Sequence, residues 1–558
     1  MPTRPSQPGH VFVIRGDILH LNCDAWMLPT DEHLHARRWT HVDGLAPGVD
    51  RLRGAGFGTG DRLAAAVPGW KPRLPLPIAT AVPLLGIRSA PDVRPALDAF
   101  MREAVAALAS RRDPLVSTRC VPLLAVPFFG TGGGGGDLQR GPVLQELLAG
   151  LDAGVREHGV DAALVLQDEA AYGLAQRIRR DNDNWPALSA ELKDEARSLA
   201  DVARRGKLVP FMGAGTSVSA GGPTWNGLLN SLAERTELKD HLDALSRLST
   251  LDRASLIQSK FESAQEGDAG AAMGFRAAIA REASLERYGL APALLAALPS
   301  DGAITLNYDT LFEAAAADQA RSRTVIPPAR GASSGSEAPQ VPADSSSSSS
   351  DRWLLKLHGS VDDVESIILT RDDYLGFNAT KQALTGLVQA HLLTHHMLFV
   401  GFGLTDEHFH EIIHDVRRAM PREDGPSRTL GTALVLHDDT LQNALWEDHL
   451  RIVPLTRDTG DPALPAAGRI LEIFLDMLAA CIATEHSYLL APKYDGALGE
   501  ADRELRGLLL DLAAALPTGA SGDALDVVRT MLSSLGFDRG AAGHGPRREP
   551  SARRVGKP

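Results

Sequence analysis

Two short segments of the chain carry polar residues that are suited to catalysis. TLNYD (305–309) and LKLHGS (355–360) place Asn307, Asp309 and His358 directly after apolar runs. An asparagine can orient a water molecule by hydrogen bonds, and an imidazole that titrates near neutral pH can accept that water's proton. These residue types therefore allow water activation, provided that the fold brings the two segments together.

A glycine-rich turn lies upstream of both segments. LVPFMGAGTS (208–217) predicts a strand, a tight Gly-Ala-Gly turn and the start of a helix. Small residues let the backbone approach a pyrophosphate, and free N–H groups at a helix start point toward an anion. A turn of this kind is also an ordinary strand–helix connection, so by itself it leaves both interpretations open.

The polar residues have structural interpretations as well. His358 taken alone is typical of a partly buried structural histidine. Asn307 and Asp309 could form an Asx turn that caps a helix over Thr310–Ala317. A capping role and a catalytic role can coexist in the same side chain.

Short apolar runs alternate with helical patterns, which is typical of α/β domains with largely parallel sheets. In the first 180 residues the pattern predicts strands at 11–16, 25–29, 80–86, 120–128 and 162–167, and helices at Val93–Ser110, Pro142–Glu157 and Tyr172–Arg180. Further on it predicts a helix at Glu191–Arg205, a strand from 207 onward, helices within 226–300, and strands at 303–307, 353–359, 366–370, 396–403, 432–437 and 451–455.

These elements predict two α/β domains. We expect a smaller domain over residues 1–185 and a doubly wound parallel sheet over residues 186–490, interrupted by a serine-rich flexible insertion at 329–351. Residues 491–538 should form a helical appendage and 539–558 a disordered tail. One face of the appendage carries Leu505, Leu508, Leu509, Leu512 and Leu516.

Composition excludes several classes of protein. The 558 residues include 57 Lys and Arg against 70 Asp and Glu, a net charge of −13 that argues against nucleic-acid coats and general membrane-surface binders. Cys23, Cys120 and Cys481 lie far apart, so neither a disulfide scaffold nor a four-cysteine zinc site is expected. There is no apolar run of ~20 residues, and the first residues lack a hydrophobic signal core. We therefore expect a cytoplasmic protein without membrane contact.

Four motifs occur in the order found in the sirtuin family. GAGTSVSAGGPTW (213–225) resembles the family's first motif, TLNYD its T-x-N-x-D motif and LKLHGS its L-x-H-G motif. LFVGFGLTD (398–406) stands where the family has a strand running into a second phosphate loop. The resemblance covers roughly residues 195–460 and implies a Rossmann-like, doubly wound sheet with NAD at the carboxyl ends of its strands.

The resemblance also implies roles for individual residues. His358 would be the general base, with Asn307 and Asp309 at the nicotinamide riboside half of NAD. The chemistry suits these types, because cleavage of the bond to nicotinamide builds an oxocarbenium-like sugar. The implied NAD-binding residues are Gly213, Ala214, Gly215, Thr216, Ser217, Trp225, Asn307, Asp309, Gly401, Phe402 and Gly403.

Departures from the family pattern narrow the expected activity. Protein-deacylating sirtuins hold a zinc module with four cysteines, and the stretch between Cys120 and Cys481 has none. Thr224-Trp225-Asn226 replaces Asp-Phe-Arg, and Gly403 replaces the serine of the later phosphate loop. This set of departures resembles the pattern of the zinc-free, sirtuin-like proteins of bacterial defence systems, which destroy NAD upon phage infection. NAD is then the substrate, and we expect no zinc and no other metal.

The segment DEHFHEIIHD (406–415) matches a second pattern. His410, Glu411 and His414 fit HExxH literally, a motif whose zinc form is a metalloprotease. The segment also lies just behind the phosphate-loop strand, where the sirtuin pattern requires an ordinary surface helix. We favour the surface helix.

The first domain resembles a macrodomain. VIRGDILHLNCDAWMLPTD (13–31) is similar to the opening of that family, and FFGTGGGGGDL (128–138) falls where it carries a glycine-rich phosphate loop. The resemblance implies a nucleotide site at Asp17, Gly130, Thr131, Gly132 and Gly133, filled by an ADP-ribose-type signal. The alternative for 130–136 is a plain surface loop.

The sequence thus predicts an NAD hydrolase that releases nicotinamide and ADP-ribose, or a cyclised form, as a phage-triggered defence effector. We expect a homo-oligomer that does not bind nucleic acid directly. The alternatives are a regulatory protein that binds NAD or ADP-ribose without turnover, and, less favoured, a protein deacylase or ADP-ribosyltransferase.

Overall fold

A computed structural model describes most of residues 8–538. The gaps are 36–38, 40, 54–56, 59–61, 83–86, 112–118, 132–135, 266–273, 327–351, 381, 405, 420–428, 458–463 and 518–521. The predicted insertion 329–351, the predicted tail 539–558 and the candidate site residues Gly132 and Gly133 lie outside the described residues.

The first part of the chain forms a six-stranded sheet with the order β1-β6-β5-β2-β4-β3. Its strands are β1 (Val11–Arg15), β2 (Ala25–Thr30), β3 (Ala64–Ala66), β4 (Leu76–Ala81), β5 (Leu123–Pro127) and β6 (Asp161–Leu166). The strands pair in parallel except for β3, which runs antiparallel to β4. The helices of this part are α1 (Leu45–Arg53), α2 (Arg94–Ala109), α3 (Arg140–His158) and α4 (Glu169–Asp181).

A second, seven-stranded sheet has the order β13-β12-β11-β7-β8-β10-β9, and all its strand pairs are parallel. Its strands are β7 (Leu208–Met212), β8 (Gly302–Thr305), β9 (Thr324–Ile326), β10 (Trp353–Lys356), β11 (His396–Val400), β12 (Gly431–His437) and β13 (Leu450–Thr456). The strand order reverses between β7 and β11, which is the position where doubly wound sheets bind ligands.

Helices surround this second sheet and continue beyond it. They are α5 (Ala190–Arg204), α6 (Trp225–Glu234), α7 (Leu242–Leu245), α8 (Thr250–Gln265), α9 (Phe275–Ala283), α10 (Leu290–Ala296), α11 (Leu311–Asp318), α12 (Arg371–Thr380), α13 (Gln382–Thr394), α14 (Glu407–Ala419), α15 (Thr440–Trp446), α16 (Leu464–Ile482), α17 (Glu500–Ala515) and α18 (Asp523–Ser534).

The predicted α/β class and parallel sheets are confirmed, with one wrong strand. Residues 366–370 were expected as a strand, but a 3₁₀ turn (Val364–Ser366) and irregular backbone occupy this stretch. Both edges of β10 are already taken by β8 and β9, so the apolar residues Ile367–Leu369 are buried without joining the sheet.

Helix α16 joins the two sheets. It follows the second sheet in sequence, yet its Asp476 is fully buried against the first sheet. The Asp476 carboxylate accepts hydrogen bonds from Arg179, from the Trp185 indole at 2.8 Å and from the Val13 amide at 3.3 Å, and lies 2.9 Å from His10 Nε2. Apolar side chains of both sheets belong to one continuous core.

The chain then returns to the first sheet before the appendage. Tyr494 is fully buried, and its hydroxyl donates to Asp168 at the start of α4. Helices α17 and α18 follow and expose Leu508 and Val527. Because residues 488–498 pack in the first sheet's core, the domain boundary near 490 stays a prediction.

Within the described ranges, no helix has the length and apolar character needed to cross a membrane.

Replacing Asp476 with asparagine should destabilise the protein strongly. Burial by itself raises the pKa of Asp476, but Arg179 and His10 outweigh it and lower the pKa to about 2. Asp476→Asn leaves the buried Arg179 guanidinium without its counter-charge, which typically costs about 3–5 kcal/mol. Urea denaturation followed by circular dichroism measures this loss, and the exposed Asp181→Asn should change stability by less than about 0.5 kcal/mol.

The same carboxylate makes stability depend on acid pH. Its pKa is depressed in the folded state, so its contribution is complete above the unfolded value of 3.8 and is lost as pH falls toward about 2. The free energy of unfolding should therefore drop more steeply over this range in the wild type than in Asp476→Asn. Equal slopes would contradict the assignment.

Candidate functional site

The glycine-rich loops after β7 and β11 touch each other where the strand order reverses. The Gly213 amide donates to the Val400 carbonyl and the Gly215 amide to the Gly401 carbonyl, both at 3.0 Å. Gly401 has a φ of +62°, and a Cβ there would lie 2.4 Å from the Thr216 nitrogen. Glycine is required at this crossing because no side chain fits between the two backbones.

Side chains from the β7 and β8 loops form one hydrogen-bonded network. The Asn307 amide nitrogen donates to the hydroxyls of Thr216 and Ser217, both at 3.1 Å. The Ser217 hydroxyl in turn donates to an Asp309 carboxylate oxygen at 2.7 Å. The structure thus brings together four residues that the sequence analysis singled out.

Asn307 Oδ1 and the Asp309 carboxylate are two acceptors of this network. Asn307 Oδ1 is buried and has no hydrogen-bond partner in the described part of the chain, which suits an acceptor that awaits a ligand or a water molecule. Burial raises the pKa of Asp309, and its hydrogen bond from Ser217 and the charge of Lys356 oppose that rise. Its other oxygen accepts the Leu311 amide at 3.1 Å, so the predicted Asx turn is present alongside the network.

Lys356 contacts the Asn307–Asp309 loop and stabilises it. The sequence analysis did not select this residue. Its fully buried ammonium donates to the carbonyl of Asp309 at 2.5 Å and to Glu313 at 2.8 Å. Burial raises the pKa of Glu313, and Lys356 opposes that rise. The signal was visible in WLLKLHG, where one charged residue interrupts an apolar strand.

His358 is fully buried two residues after β10. Its ring lies edge-on to Trp225, with centroids 6.2 Å apart, and its Nε2 is 3.4 Å from the Tyr374 hydroxyl and 3.7 Å from Asp406 Oδ2. Trp225 is the first residue of α6, whose N-cap Thr224 accepts the Gly227 amide.

A cleft lies beside the Asn307 network, and His358 is not among the residues that line it. Its lining includes the loop after β7, the start of α6 and the loop after β8, with Ser217, Trp225, Asn307 and Asp309 among the lining residues. Its volume is about 40 Å³, which is room for about three water molecules.

The helix predicted after the glycine-rich turn takes a different form, while the phosphate-binding role of the turn stays a prediction. The expected helix after Gly-Ala-Gly is a seven-residue 3₁₀ segment, Ala214–Ala220, and the α-helix begins at Trp225. The amides of Gly213, Gly215 and Thr216 donate to protein carbonyls in this form instead of facing an anion. The Gly213 and Gly215 amides bond across to the β11 side, and the Thr216 amide bonds to Gly213 within its own loop.

The loop after β11 has mixed contacts. The Phe402 ring lies 5.1 Å from Phe211 and 5.0 Å from Phe409, so its side chain joins the aromatic core beneath the sheet edge. The Gly403 carbonyl accepts from Gln442 at 2.9 Å. Gly401 packs on the β7 loop, and Gly401, Phe402 and Gly403 are not among the residues that line the cleft.

The HExxH segment forms the amphipathic helix α14. Phe409, Ile412 and Ile413 are buried, while His410 and His414 are exposed. His410 Nε2 lies 3.0 Å from the Leu404 carbonyl. Among the residues that the structure describes, no group of three or more His, Cys, Asp or Glu side chains could hold a metal ion.

The candidate nucleotide site of the first sheet is partly described. Asp17 follows β1 and accepts the Leu19 amide at 2.9 Å, while its own amide donates to Tyr288 of the second part. Gly130 has a φ of +81° and Thr131 is buried after β5. The carboxyl ends of both strands lie at the same edge of the parallel sheet.

Comparisons with known proteins agree with the geometry of the second sheet. A family model described as a SIR2-like domain matches residues 301–455. The chain is 27% identical over 238 residues to "NAD(+) hydrolase ThsA" of Enterococcus faecium, covering 41% of this chain and 44% of that protein. It is 25% identical over 213 residues to the protein of the same name in Cytobacillus dafuensis, covering 38% of each.

A third relative is "Defense-associated sirtuin 2" of Bacillus subtilis, 28% identical over 118 residues, which cover 21% of this chain and 10% of that protein. The chain spans less than half the length of each of these relatives. The macrodomain resemblance of the first part stays a prediction. The resemblance to sirtuins is confirmed over residues 301–455, where the SIR2-like family model matches; β8 to β12 and most of β13 lie within this match.

Proposed function

We propose that the SIR2-like domain hydrolyses NAD to nicotinamide and ADP-ribose, and that the protein acts as a phage-triggered defence effector in the cytoplasm. The network of Asn307, Ser217 and Asp309 beside the cleft carries the proposal, because Asn307 Oδ1 is a buried acceptor without a partner in the described residues. The names of the relatives, two NAD hydrolases and a defence-associated sirtuin, support it.

The proposed chemistry uses one water molecule. Cleavage of the N-glycosidic bond leaves its electron pair on nicotinamide and builds positive charge on the ribose ring. Asn307 Oδ1 orients the attacking water, His358 takes its proton, and the water oxygen bonds to the anomeric carbon. Asp309 holds Ser217 and, through it, the Asn307 amide.

Substrate entry requires a change in the cleft. With a volume of about 40 Å³, the cleft is far smaller than a dinucleotide. Trp225 both lines the cleft and contacts the His358 ring, so we propose that displacement of Trp225 opens the path to the base.

Substitution of His358 or Asn307 should nearly abolish the release of nicotinamide from NAD. We expect His358→Ala and Asn307→Ala each to slow nicotinamide release by about 100-fold or more, since general-base catalysis contributes about 10²–10⁴-fold. Nicotinamide is measured by chromatography after incubation of each purified protein with NAD. The exposed His241→Ala serves as the matched control and should retain wild-type rates.

Full activity of both variants would contradict the assignment of the site. NAD binding by the wild type without nicotinamide release under any condition, including added nucleotides, would favour a regulatory binding protein. Release that requires an added acylated or acceptor protein would favour a deacylase or transferase.

Lys356 should be essential to the loop that carries the site. Lys356→Met leaves the carboxylate of Glu313 buried without its partner and the carbonyl of Asp309 without its donor, and we expect a loss of about 3 kcal/mol in stability. Urea denaturation measures it. The double variant Lys356→Met/Glu313→Leu should recover part of the loss, and purely additive effects would contradict the coupling.

We further propose that an ADP-ribose-type nucleotide binds the first domain and regulates the second. The loop after β1 supports this, because it carries Asp17 and contacts the 3₁₀ segment that follows the β7 glycine turn. Asn22 donates to the Ser219 carbonyl of the β7 loop at 3.2 Å, and the amide of Asp17 donates to Tyr288. We also propose that the chain forms a homo-oligomer, for which the apolar side chains exposed on α17 and α18 offer a surface.

Asp17 should determine nucleotide binding to the first domain. In the His358→Ala background, Asp17→Ala should weaken ADP-ribose binding by about tenfold, the effect of one lost polar contact. Isothermal titration calorimetry gives both affinities. Unchanged affinity would place the ligand at another site.

A further inference from the structure

Two polar side chains from separate elements, Tyr374 and Asp406, meet at one edge of the His358 ring. Tyr374 on α12 donates its hydroxyl proton to Asp406 Oδ2 at 2.7 Å. The same hydroxyl oxygen lies 3.4 Å from His358 Nε2, and Asp406 Oδ2 lies 3.7 Å from it. All three residues are largely or fully buried, so the contacts are shielded from bulk water.

We propose that Tyr374 and Asp406 are positioning residues for His358, which fix the tautomer of its imidazole and stabilise the imidazolium formed in catalysis. The inference rests on the proposed function, in which His358 is the general base. Neither residue belongs to the catalytic set predicted from the sequence.

The hydrogen-bond directions determine the tautomer. A tyrosine hydroxyl has one proton, and Tyr374 gives it to Asp406. Toward the imidazole the hydroxyl can therefore act as an acceptor alone, so Nε2 carries the hydrogen and Nδ1 keeps the lone pair. The proton of the attacking water then moves to Nδ1, and the positive charge that results lies close to the Asp406 carboxylate.

Asp406 is itself held in place. Its Oδ1 accepts the Phe409 amide at 3.0 Å in the first turn of α14, which leaves Oδ2 for Tyr374. Asp406 also follows Gly401 in the loop after β11, the loop that crosses the β7 glycine turn. Gly401, which packs against the β7 turn, and Asp406, which lies beside His358, thus belong to the same loop after β11.

Other charged and titratable groups near the ring are engaged elsewhere. Lys356 pairs with Glu313 at 2.8 Å, and Asp373 pairs with Arg276 at 2.8 Å. On the outer side, Glu407 lies 3.8 Å from Arg371.

The nearby Tyr308 hydroxyl donates to the Ile368 carbonyl at 2.7 Å. Because Glu313, Asp373 and Glu407 each lie beside another cation, Asp406 is the carboxylate expected to interact with the His358 imidazole.

The test compares Asp406→Asn and Tyr374→Phe with the wild type in two measurements. The first is the pH dependence of kcat for nicotinamide release. A nearby carboxylate favours the charged imidazolium, so its removal lowers the pKa of His358, and the acidic limb of the profile should move to lower pH by about one unit. We expect kcat at neutral pH to fall about tenfold or more in both variants, with KM within about twofold of wild type.

The second measurement does not depend on turnover. Protein with ¹³C-labelled histidine is titrated by NMR, and the His358 signal is assigned by its absence in His358→Ala. Its midpoint should be lower in Asp406→Asn than in the wild type. The matched control is Glu407→Gln, which removes the next carboxylate and should leave both measurements unchanged.

The outcomes separate the two hypotheses. A wild type that titrates as expected but never releases nicotinamide refutes the proposed function and leaves the positioning role standing. An unchanged titration midpoint, or unchanged kcat in both variants of an active enzyme, refutes the positioning role. If Asp406→Asn loses its fold by thermal melting, Tyr374→Phe decides by the split between kcat and KM.

Discussion

The candidate site depends on the close crossing of two backbones. The loops after β7 and β11 meet without side chains between them, and Gly213, Gly215 and Gly401 make that distance possible. This crossing aligns the 3₁₀ segment that carries Thr216 and Ser217, and those hydroxyls orient the Asn307 amide. The amides of Gly213 and Gly215 donate to the Val400 and Gly401 carbonyls across this crossing.

Buried polar groups form a second layer that links the strands. Lys356 lies under the β8 loop, and Asp406 reaches His358 from the β11 loop through Tyr374. The buried Lys356 ammonium has Glu313 as a partner of opposite sign, as the low dielectric of the interior favours. The same principle operates at Asp476, which joins α16 to the first sheet through Arg179.

The two parts of the chain share more structure than two independent domains would. A single apolar core includes residues of both sheets, and α16 serves both. Asn22 in the loop after β1 contacts the β7 loop. The backbone of Tyr288 pairs with Leu21 in the loop after β1.

The sequence by itself determined the α/β class, most of the strands, the SIR2-like resemblance and the loops that carry Asn307, Asp309 and His358, because apolar periodicity and short motifs are local properties. Tertiary structure alone decided that residues 366–370 are not a strand, since the neighbouring edges were already paired. It also selected Tyr374, which belongs to none of the four motifs, and Asp406, which belongs to a different motif from His358. Contacts between distant segments depend on packing, and no local pattern encodes them.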